Sequence, residues 1–293
     1  MDHSSFSIPY HEQQSFSLRR DLTPKYHSIW HSHQEIELVY VIEGSGTLCI
    51  GDRIQTVQPG TMVWIPSSIP HYWLFDEKSD GHDAYPINCI VAHFVSDFGI
   101  THLLHAPEFV WLAALIDQRH DGFQAEVGQH CPFNRHLLRA LEESGLNRLF
   151  EFLKALREIR NVKGSRLLSP SYTPIHLPHD QHRMNAIMEY IRLRFRTDIR
   201  LENLAEIAGL TPNSCSRYFK KMTGKTPMQF INELRVSFAC QHLIQPNPSL
   251  KNICYESGFN NLVSFHKTFK QFKGVTPREF QRVWLQQRNR KRQ

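Results

Sequence analysis

Three histidines and a carboxylate stand near one another in the first quarter of the chain, as His31-x-His33-x-x-x-Glu37 with His71 further on. Gly44 follows Glu37 after six intervening residues, and Pro59-Gly60, a five-residue run and Pro66 lead on to His71. Imidazole nitrogens with one carboxylate suit a divalent Fe, Mn, Ni or Zn ion and leave coordination positions open. The same four groups are also hydrogen-bonding partners for a small polar molecule. Trp30, Trp64 and Trp73 would then serve either as stacking walls or as ordinary core. Ligand spacing alone fixes neither coordination geometry nor the groups behind the ligands. Spacing alone leaves two readings of His31, His33, Glu37 and His71 open, a pocket for a small polar molecule and a metal site, and no cofactor is assigned.

A second set of chemistry-bearing residues lies between Leu201 and Phe280, where one pattern occurs twice. Leu201, Asn203, Leu204, Gly209 and Leu210 match Leu250, Asn252, Ile253, Gly258 and Phe259 at an offset of 49. After a one-residue insertion, Phe219, Lys220, Gly224, Thr226, Pro227 and Phe230 match Phe269, Lys270, Gly274, Thr276, Pro277 and Phe280 at an offset of 50. Each copy reads as a short helix, a glycine turn and a second helix closed by another glycine, the form of a helix-turn-helix whose second helix enters the DNA major groove. Thr211-Pro212 supplies a cap and an N1 proline. Leu204, Ala205, Ala208, Cys215, Phe219 and Met222 are expected inside in the first copy. Ile253, Cys254, Ser257, Phe265, Phe269 and Phe272 are their counterparts in the second.

Charge supports this. The chain carries a formal +6, but residues 181–293 hold +13 and residues 1–180 hold −7. Cations gathered in one region are the footprint of a polyanion, because each neutralised phosphate releases counterions. No run of about 18 apolar residues and no charged-then-apolar leader occurs, so a soluble, cytoplasmic protein without membrane contact is expected. Six cysteines, Cys49, Cys89, Cys131, Cys215, Cys240 and Cys254, lack C-x-x-C spacing and read as reduced, mostly buried thiols.

The elements that must position these residues follow from pattern. Residues 1–25 are polar and read as a partly ordered arm. Strands are expected at 35–42, 47–50, 53–57, 61–65 and 87–94, separated by Gly44-Ser45-Gly46, Gly51-Asp52 and Pro59-Gly60, which argues for a small antiparallel barrel or sandwich. Helices are expected at 108–120, 135–144 and 146–160, the last with Leu146, Leu149, Leu153 and Leu156 at heptad spacing. That seam is either core or a dimer contact. Pro170, Pro174 and Pro178 mark a linker. Met184, Ile187, Met188, Ile191 and Phe195 mark a helix supporting the first repeat. A connecting helix at 228–244, burying Phe230, Leu234, Phe238 and Leu243, fixes one repeat against the other.

On the runs Leu204-Ala205-Glu206-Ile207-Ala208-Gly209-Leu210 and Phe219-Lys220-Lys221-Met222-Thr223-Gly224-Lys225-Thr226-Pro227, with Gly258-Phe259, Phe269-Lys270, Gly274 and Thr276-Pro277, residues 181–284 resemble the DNA-binding domain of the AraC/XylS family of transcription regulators. Cys215 departs from it, standing where the family has a larger apolar residue. The histidine spacing resembles the two cupin motifs, with departures at Lys25, Ser68 and Phe75, where those motifs carry Gly, Gly and Asn. The resemblance implies a multidomain protein of α and β structure. A cupin-like effector barrel would span 1–106, a helical dimerisation region 107–165, a linker 166–180 and an all-α double helix-turn-helix domain with a basic tail 181–293.

By alignment with the family, Asn213, Ser216 and Arg217 face the groove in the first repeat, and Leu262, Val263, His266 and Lys267 do so in the second. Arg217 suits guanine and Asn213 adenine. Leu262 and Val263 offer no hydrogen bonds, so they either touch thymine methyls or leave the second repeat to grip the backbone. Lys220, Lys221, Lys225, Lys270 and Lys273 are expected phosphate contacts, each equally readable as a solvated charge. The implied partners are double-stranded DNA, a small-molecule effector such as a sugar, RNA polymerase and a second copy of the chain. The implied activity is regulatory and not enzymatic. The alternatives are a metal-dependent cupin enzyme fused to a DNA-binding module, and a scaffold whose barrel only dimerises.

Overall fold

The computed structural model describes residues 15–22, 28–75, 87–96, 106–173, 181–245 and 249–290. It divides into two compact units, Met1–Arg53 with Val57–Pro178, and His179–Gln293 with Ile54–Thr56.

The first unit is built on two antiparallel sheets. Strands β1 (Phe16–Asp21), β2 (Ile36–Glu43), β5 (Thr61–Ile65), β7 (Asn88–Phe94), β8 (Phe123–Glu126) and β9 (Ser165–Arg166) form a six-stranded sheet in the order β1-β7-β2-β5-β8-β9. Strands β3 (Gly46–Ile50), β4 (Arg53–Val57) and β6 (His71–Phe75) form a three-stranded one in the order β4-β3-β6. Alternation along β2, β5 and β7 divides the larger sheet's side chains between two cores. Val39, Val41, Val63, Ile65, Cys89 and Val91 meet Leu48, Ile50, Trp73 and Phe75 of the small sheet. Leu38, Tyr40, Met62, Trp64, Ile90, Ala92 and Phe94 meet helices α1 (Val110–Gln118), α2 (Pro132–Glu142) and α3 (Gly145–Glu158), which supply Leu112, Leu137 and Phe152 among others. Both faces being covered, the central strands are mainly apolar, and the buried Glu37 and His93 stand out in them.

Phe16–Asp21, expected within a loose arm, is a strand that pairs along its whole length with β7. Its apolar Phe16 and Leu18 alternate with polar residues, a pattern too short to stand out beside the polar residues before it. Residues 1–14 lie outside the described residues. The stretch after 106 is not purely helical, since β8 and β9 extend the six-stranded sheet. The first residues of the expected linker pack on the barrel. Leu167 and Leu168 are buried in its core, and Ser169 hydrogen-bonds the Asp52 carboxylate. Pro174 and Pro178 lie outside the described residues. In α3 the heptad seam splits. Leu156 is fully buried, Leu149 and Leu153 pack partly buried against the core, and Leu146 is 62 % exposed, with Phe150 outside the seam exposed beside it.

The second unit is helical: α4 (Gln181–Arg194), α5 (Leu201–Ile207), α6 (Pro212–Thr223), α7 (Pro227–Leu243), α8 (Leu250–Glu256), α9 (Leu262–Lys273) and α10 (Pro277–Arg290). Met184, Ile187, Met188 and Ile191 of α4 are buried with Leu204, Ala205, Cys215, Phe219 and Met222, as the repeat pattern requires. Val236, Ala239, Cys240 and Leu243 of α7 form the second core with Ile253, Cys254, Phe259, Phe265 and Phe269. Thus α7 serves both repeats and is buried on several sides. Phe238 is only partly buried, its ring against His242 and Phe195.

Candidate functional site

Strand register assembles the histidine cluster. Glu37 on β2 faces His93 on β7 as a direct cross-strand pair, and both project between the two sheets, on the side of Val39 and Val91. His71 opens β6 and joins His31 through an isolated bridge, with N–H to carbonyl bonds of 3.1 and 2.9 Å in the two directions. His33 is held by its carbonyl, which accepts from the Ser68 N–H at 2.7 Å. Ser68 has φ +63°, a left-handed turn that favours glycine and costs a serine roughly 1–2 kcal/mol. Ser68 thus holds a left-handed turn at a position where the cupin motif carries glycine.

The carboxylate of Glu37 is the hub. Its Oε2 lies 3.0 Å from His93 Nε2, 3.2 Å from His33 Nε2 and 3.4 Å from His71 Nε2, and its Oε1 accepts from Trp73 Nε1 at 3.2 Å. Glu37, His31, His71 and His93 are each at most 2 % exposed. Burial works against charge on Glu37. The His71 ring beside it and the hydrogen-bonding contacts of His33 and His93 outweigh it and hold the carboxyl well below the ordinary carboxylate range. Burial also pushes His31 well below the usual imidazole value, the His71 ring adding to it against the pull of Glu37. The same desolvation lowers His93, opposed by its bond to Glu37. At neutral pH the site therefore holds an anionic hub among imidazoles of which at least His31 and His93 are neutral.

The second ring nitrogens assign tautomers. His31, His33 and His71 each direct Nδ1 to a backbone carbonyl, of Ile29 at 2.6 Å, Glu35 at 3.0 Å and Ile69 at 2.9 Å. Nδ1 is then the donor, and Nε2 carries the lone pair when the ring is neutral. This is the arrangement of metal-ligating histidines, whose outer nitrogen is fixed by a carbonyl. One ligand atom from each of His31, His33, Glu37 and His71 lies within 4.8 Å of all the others. The donor set therefore fits a divalent cation. His93 differs. Its Nδ1 lies 3.1 Å from Arg19 Nη1, an obligate donor, so its Nε2 carries the hydrogen and donates to Glu37. Arg19 is itself held by Asp21, through Nε at 3.0 Å.

The fold brings His31, His33, Glu37 and His71 together and adds His93 and Arg19, which the sequence pattern does not single out. His93 sits in a strand read correctly as β, and its period-two spacing from Val91 places it on the inner face. Which residue it opposes is set by register alone. The three tryptophans do not act as open walls, being 0, 1 and 0 % exposed for Trp30, Trp64 and Trp73. Trp73 stacks on Phe75 and reaches the cluster with its indole N–H. Trp64 pairs opposite Leu38, on the sheet's other face, and packs edge-on against Phe94. Lys25 lies outside the described residues.

In the second unit each repeat presents a reading helix with the same local chemistry. Thr211 caps α6 by accepting from Ser214 N at 3.3 Å, and Asn261 caps α9 by accepting from Ser264 N at 2.8 Å. Gly224 and Gly274 close the two helices in left-handed geometry. Burying Cys215 and Phe219, or Phe265 and Phe269, turns the opposite faces outward. Asn213, Arg217, Lys220 and Lys221 are exposed on α6 with Ser216 half-buried. Leu262, Val263, Lys267 and Lys270 are exposed on α9 with His266 half-buried beside Phe265. These positions form one outward face per helix, polar and basic on α6 and mixed on α9, where Leu262 and Val263 stand beside Lys267 and Lys270. Lys225 is instead paired with Glu233 at 3.1 Å. The side chains of the expected basic tail, Arg288 to Arg292, lie outside the described residues. Among the described residues no helix is long and apolar enough to cross a membrane.

Comparison with known proteins gives matches in both units. Residues 204–283 match a model described as a helix-turn-helix domain, and residues 19–81 match a cupin domain. An uncharacterized HTH-type transcriptional regulator of Bacillus subtilis, YdeC, is 24 % identical over 86 % of this chain and 86 % of its own. The HTH-type transcriptional activator RhaS of Mannheimia succiniciproducens is 24 % identical over 85 % of this chain and 87 % of its own. The crystal structure of ToxT from Vibrio cholerae aligns over 91 % of this chain and 97 % of its own, at 14 % identity and a TM-score of 0.36.

Proposed function

This chain belongs to the AraC/XylS family of DNA-binding transcription regulators and carries a cupin domain ahead of its paired helix-turn-helix motifs, and from that premise we propose that the barrel is its sensor. The observation that carries this reading is the Glu37 hub. It is a buried carboxylate ringed by imidazoles, in the unit that does not carry the reading helices. A polar cluster of this kind costs desolvation and contributes little to stability that apolar packing would not. It is well suited to exchanging its internal hydrogen bonds for those of a small polar effector such as a sugar or related metabolite. Binding regulates only if the effector favours one of two states of the protein, so occupancy must bias how the chain engages DNA.

A second reading is favoured by the tautomers of His31, His33 and His71. These three, with Glu37, would hold a divalent cation, and when bound such an ion supplies a Lewis-acidic anchor for an oxygen-bearing effector. His93 and Trp73 would orient Glu37 from behind. The same donor set is what a metal-dependent cupin enzyme would use, so that assignment remains the alternative to a sensor. The outward face of α3, with Leu146 and Phe150 exposed, supports a homodimer, and regulation through RNA polymerase follows from the family.

A melting-shift screen of the full-length chain tests the proposal, using sugars, sugar acids, aromatic metabolites and Zn2+, Ni2+, Mn2+ and Fe2+, alongside metal analysis of the purified protein. At least one compound or ion raises the melting temperature and changes affinity for DNA, and Glu37→Gln abolishes both effects. If none of them shifts the melt, the barrel is a dimerising scaffold only. Stoichiometric metal together with catalytic turnover favours the enzyme.

A further inference from the structure

The two reading helices expose different chemistry at the same place. At an offset of 50, Asn213 of α6 corresponds to Val263 of α9, and Arg217 corresponds to Lys267. In each helix the first of the pair is the second helical residue, one position after Pro212 or Leu262, and the two lie four apart on one face. The burial of the two helices agrees closely. Cys215 and Phe219 are buried in one, Phe265 and Phe269 in the other, and the outward positions are exposed in both. The helices are therefore presented alike, and only their outward side chains differ.

Val263 is 80 % exposed, with Leu262 beside it at 39 %. A single exposed aliphatic residue means little. Two adjacent ones in the first turn of a helix built to enter the major groove are a different matter, because residues there meet base edges. The base edges of the major groove carry one apolar group, the C5-methyl of thymine. Lys267 and Lys270 on the same helix are exposed cations, so duplex DNA, with phosphates and thymine methyls together, is the occupant that satisfies both the charge and the apolar patch.

We propose that the second reading helix specifies thymine by packing Val263, with Leu262 beside it, on thymine methyl groups, while the first helix reads its half-site through the hydrogen bonds of Asn213 and Arg217. This rests on the DNA-binding assignment and deepens it, giving the two half-sites different recognition chemistry.

Replacing thymine by deoxyuracil removes the methyl group and leaves every hydrogen-bonding group in place. Bound sequences are selected from a random duplex library with the full-length chain. The half-site whose bases lose enrichment with Arg217→Ala marks the first helix. Thymines in each half-site are then replaced one at a time. In the second half-site at least one replacement weakens binding about fourfold, the worth of burying one methyl-sized group, while replacements in the first change it by less than about twofold. Val263→Ala abolishes the difference between thymine and uracil, and Val263→Asn selects sites in which adenine replaces thymine. The exposure of Val263 means neither variant threatens the fold. Uracil tolerated throughout the second half-site, or Val263→Ala retaining the thymine preference, overturns the proposal. Enrichment of no sequence at all overturns the DNA-binding assignment, and this with it.

Discussion

In the first helix-turn-helix copy the chain turns at Gly209 with φ +62°, and a Cβ added there would meet nothing within 4 Å. In the second it turns at the equivalent Gly258 with φ +86°, and a Cβ would lie 2.8 Å from the backbone of Arg196. The first turn asks only for a backbone conformation. The second is also a joint, pressed on the chain just beyond α4. Arg235 of α7 braces the same place, donating to the carbonyls of Phe195 and Thr197 at 2.7 Å each, its guanidinium 5.8 Å from the Phe259 ring. Two copies with the same internal pattern therefore hold different posts. The first is a reading head packed on α4 and α7, and the second is fixed by close backbone contact as well. Outward, the copies diverge again, in hydrogen-bonding against apolar side chains.

Substituting the two glycines tests this asymmetry most strongly. Gly209→Ala should cost about 1 kcal/mol, the strain of a left-handed alanine. Gly258→Ala adds a clash with fixed backbone and should cost on the order of 3 kcal/mol or more, or abolish binding at the second half-site. Urea unfolding of the full chain monitored by the helical signal checks this, and equal losses would break the comparison. Next in size is the readout. Arg217→Ala should lower affinity for a selected site by about 1–3 kcal/mol and leave random-sequence binding largely intact, whereas Lys221→Ala should weaken both alike and flatten the salt dependence. Gel shifts at two salt concentrations distinguish them, and the reverse ranking sinks the assignment of Arg217 to a base. The smallest effect is a symmetric one. Thr211→Ala and Asn261→Ala each remove one N-cap bond and should each cost about 1 kcal/mol of stability. A much larger loss in one copy would show that its cap also serves the joint.

Much of this was legible from residues alone because it depends on local rules. The repeat gave the four helices of the paired motif, the Thr211 cap and most of their cores, while the Asn261 cap went unread. Leu204, Ala205, Cys215 and Phe219 are buried, as are Ile253, Cys254, Phe265 and Phe269. Histidine spacing picked out the four residues that converge, and the split in charge marked which part of the chain faces DNA. What escaped was non-local. Arg19 and His93 are 74 residues apart and join the cluster through β1–β7 and β2–β7 register. Leu167 and Leu168 looked like the start of a linker because nothing nearby in sequence explains their burial. Arg235, buried among carbonyls, reads as an ordinary charged residue on an amphipathic helix.

The sequence by itself determined the kinds of element and the residue types offered at each site, since periodicity, capping and turn chemistry act over a few residues. Only the tertiary structure decided which of those residues meet. Cross-strand register set His93 opposite Glu37, the facing sheet and its leading loop brought His71, His31 and His33 to the same carboxylate, and packing turned the tryptophans into core. Close packing against Arg196 separated two glycines that the sequence treats as equals. Contact between distant segments depends on how whole sheets and helices fit together, and no short-range rule encodes that fit.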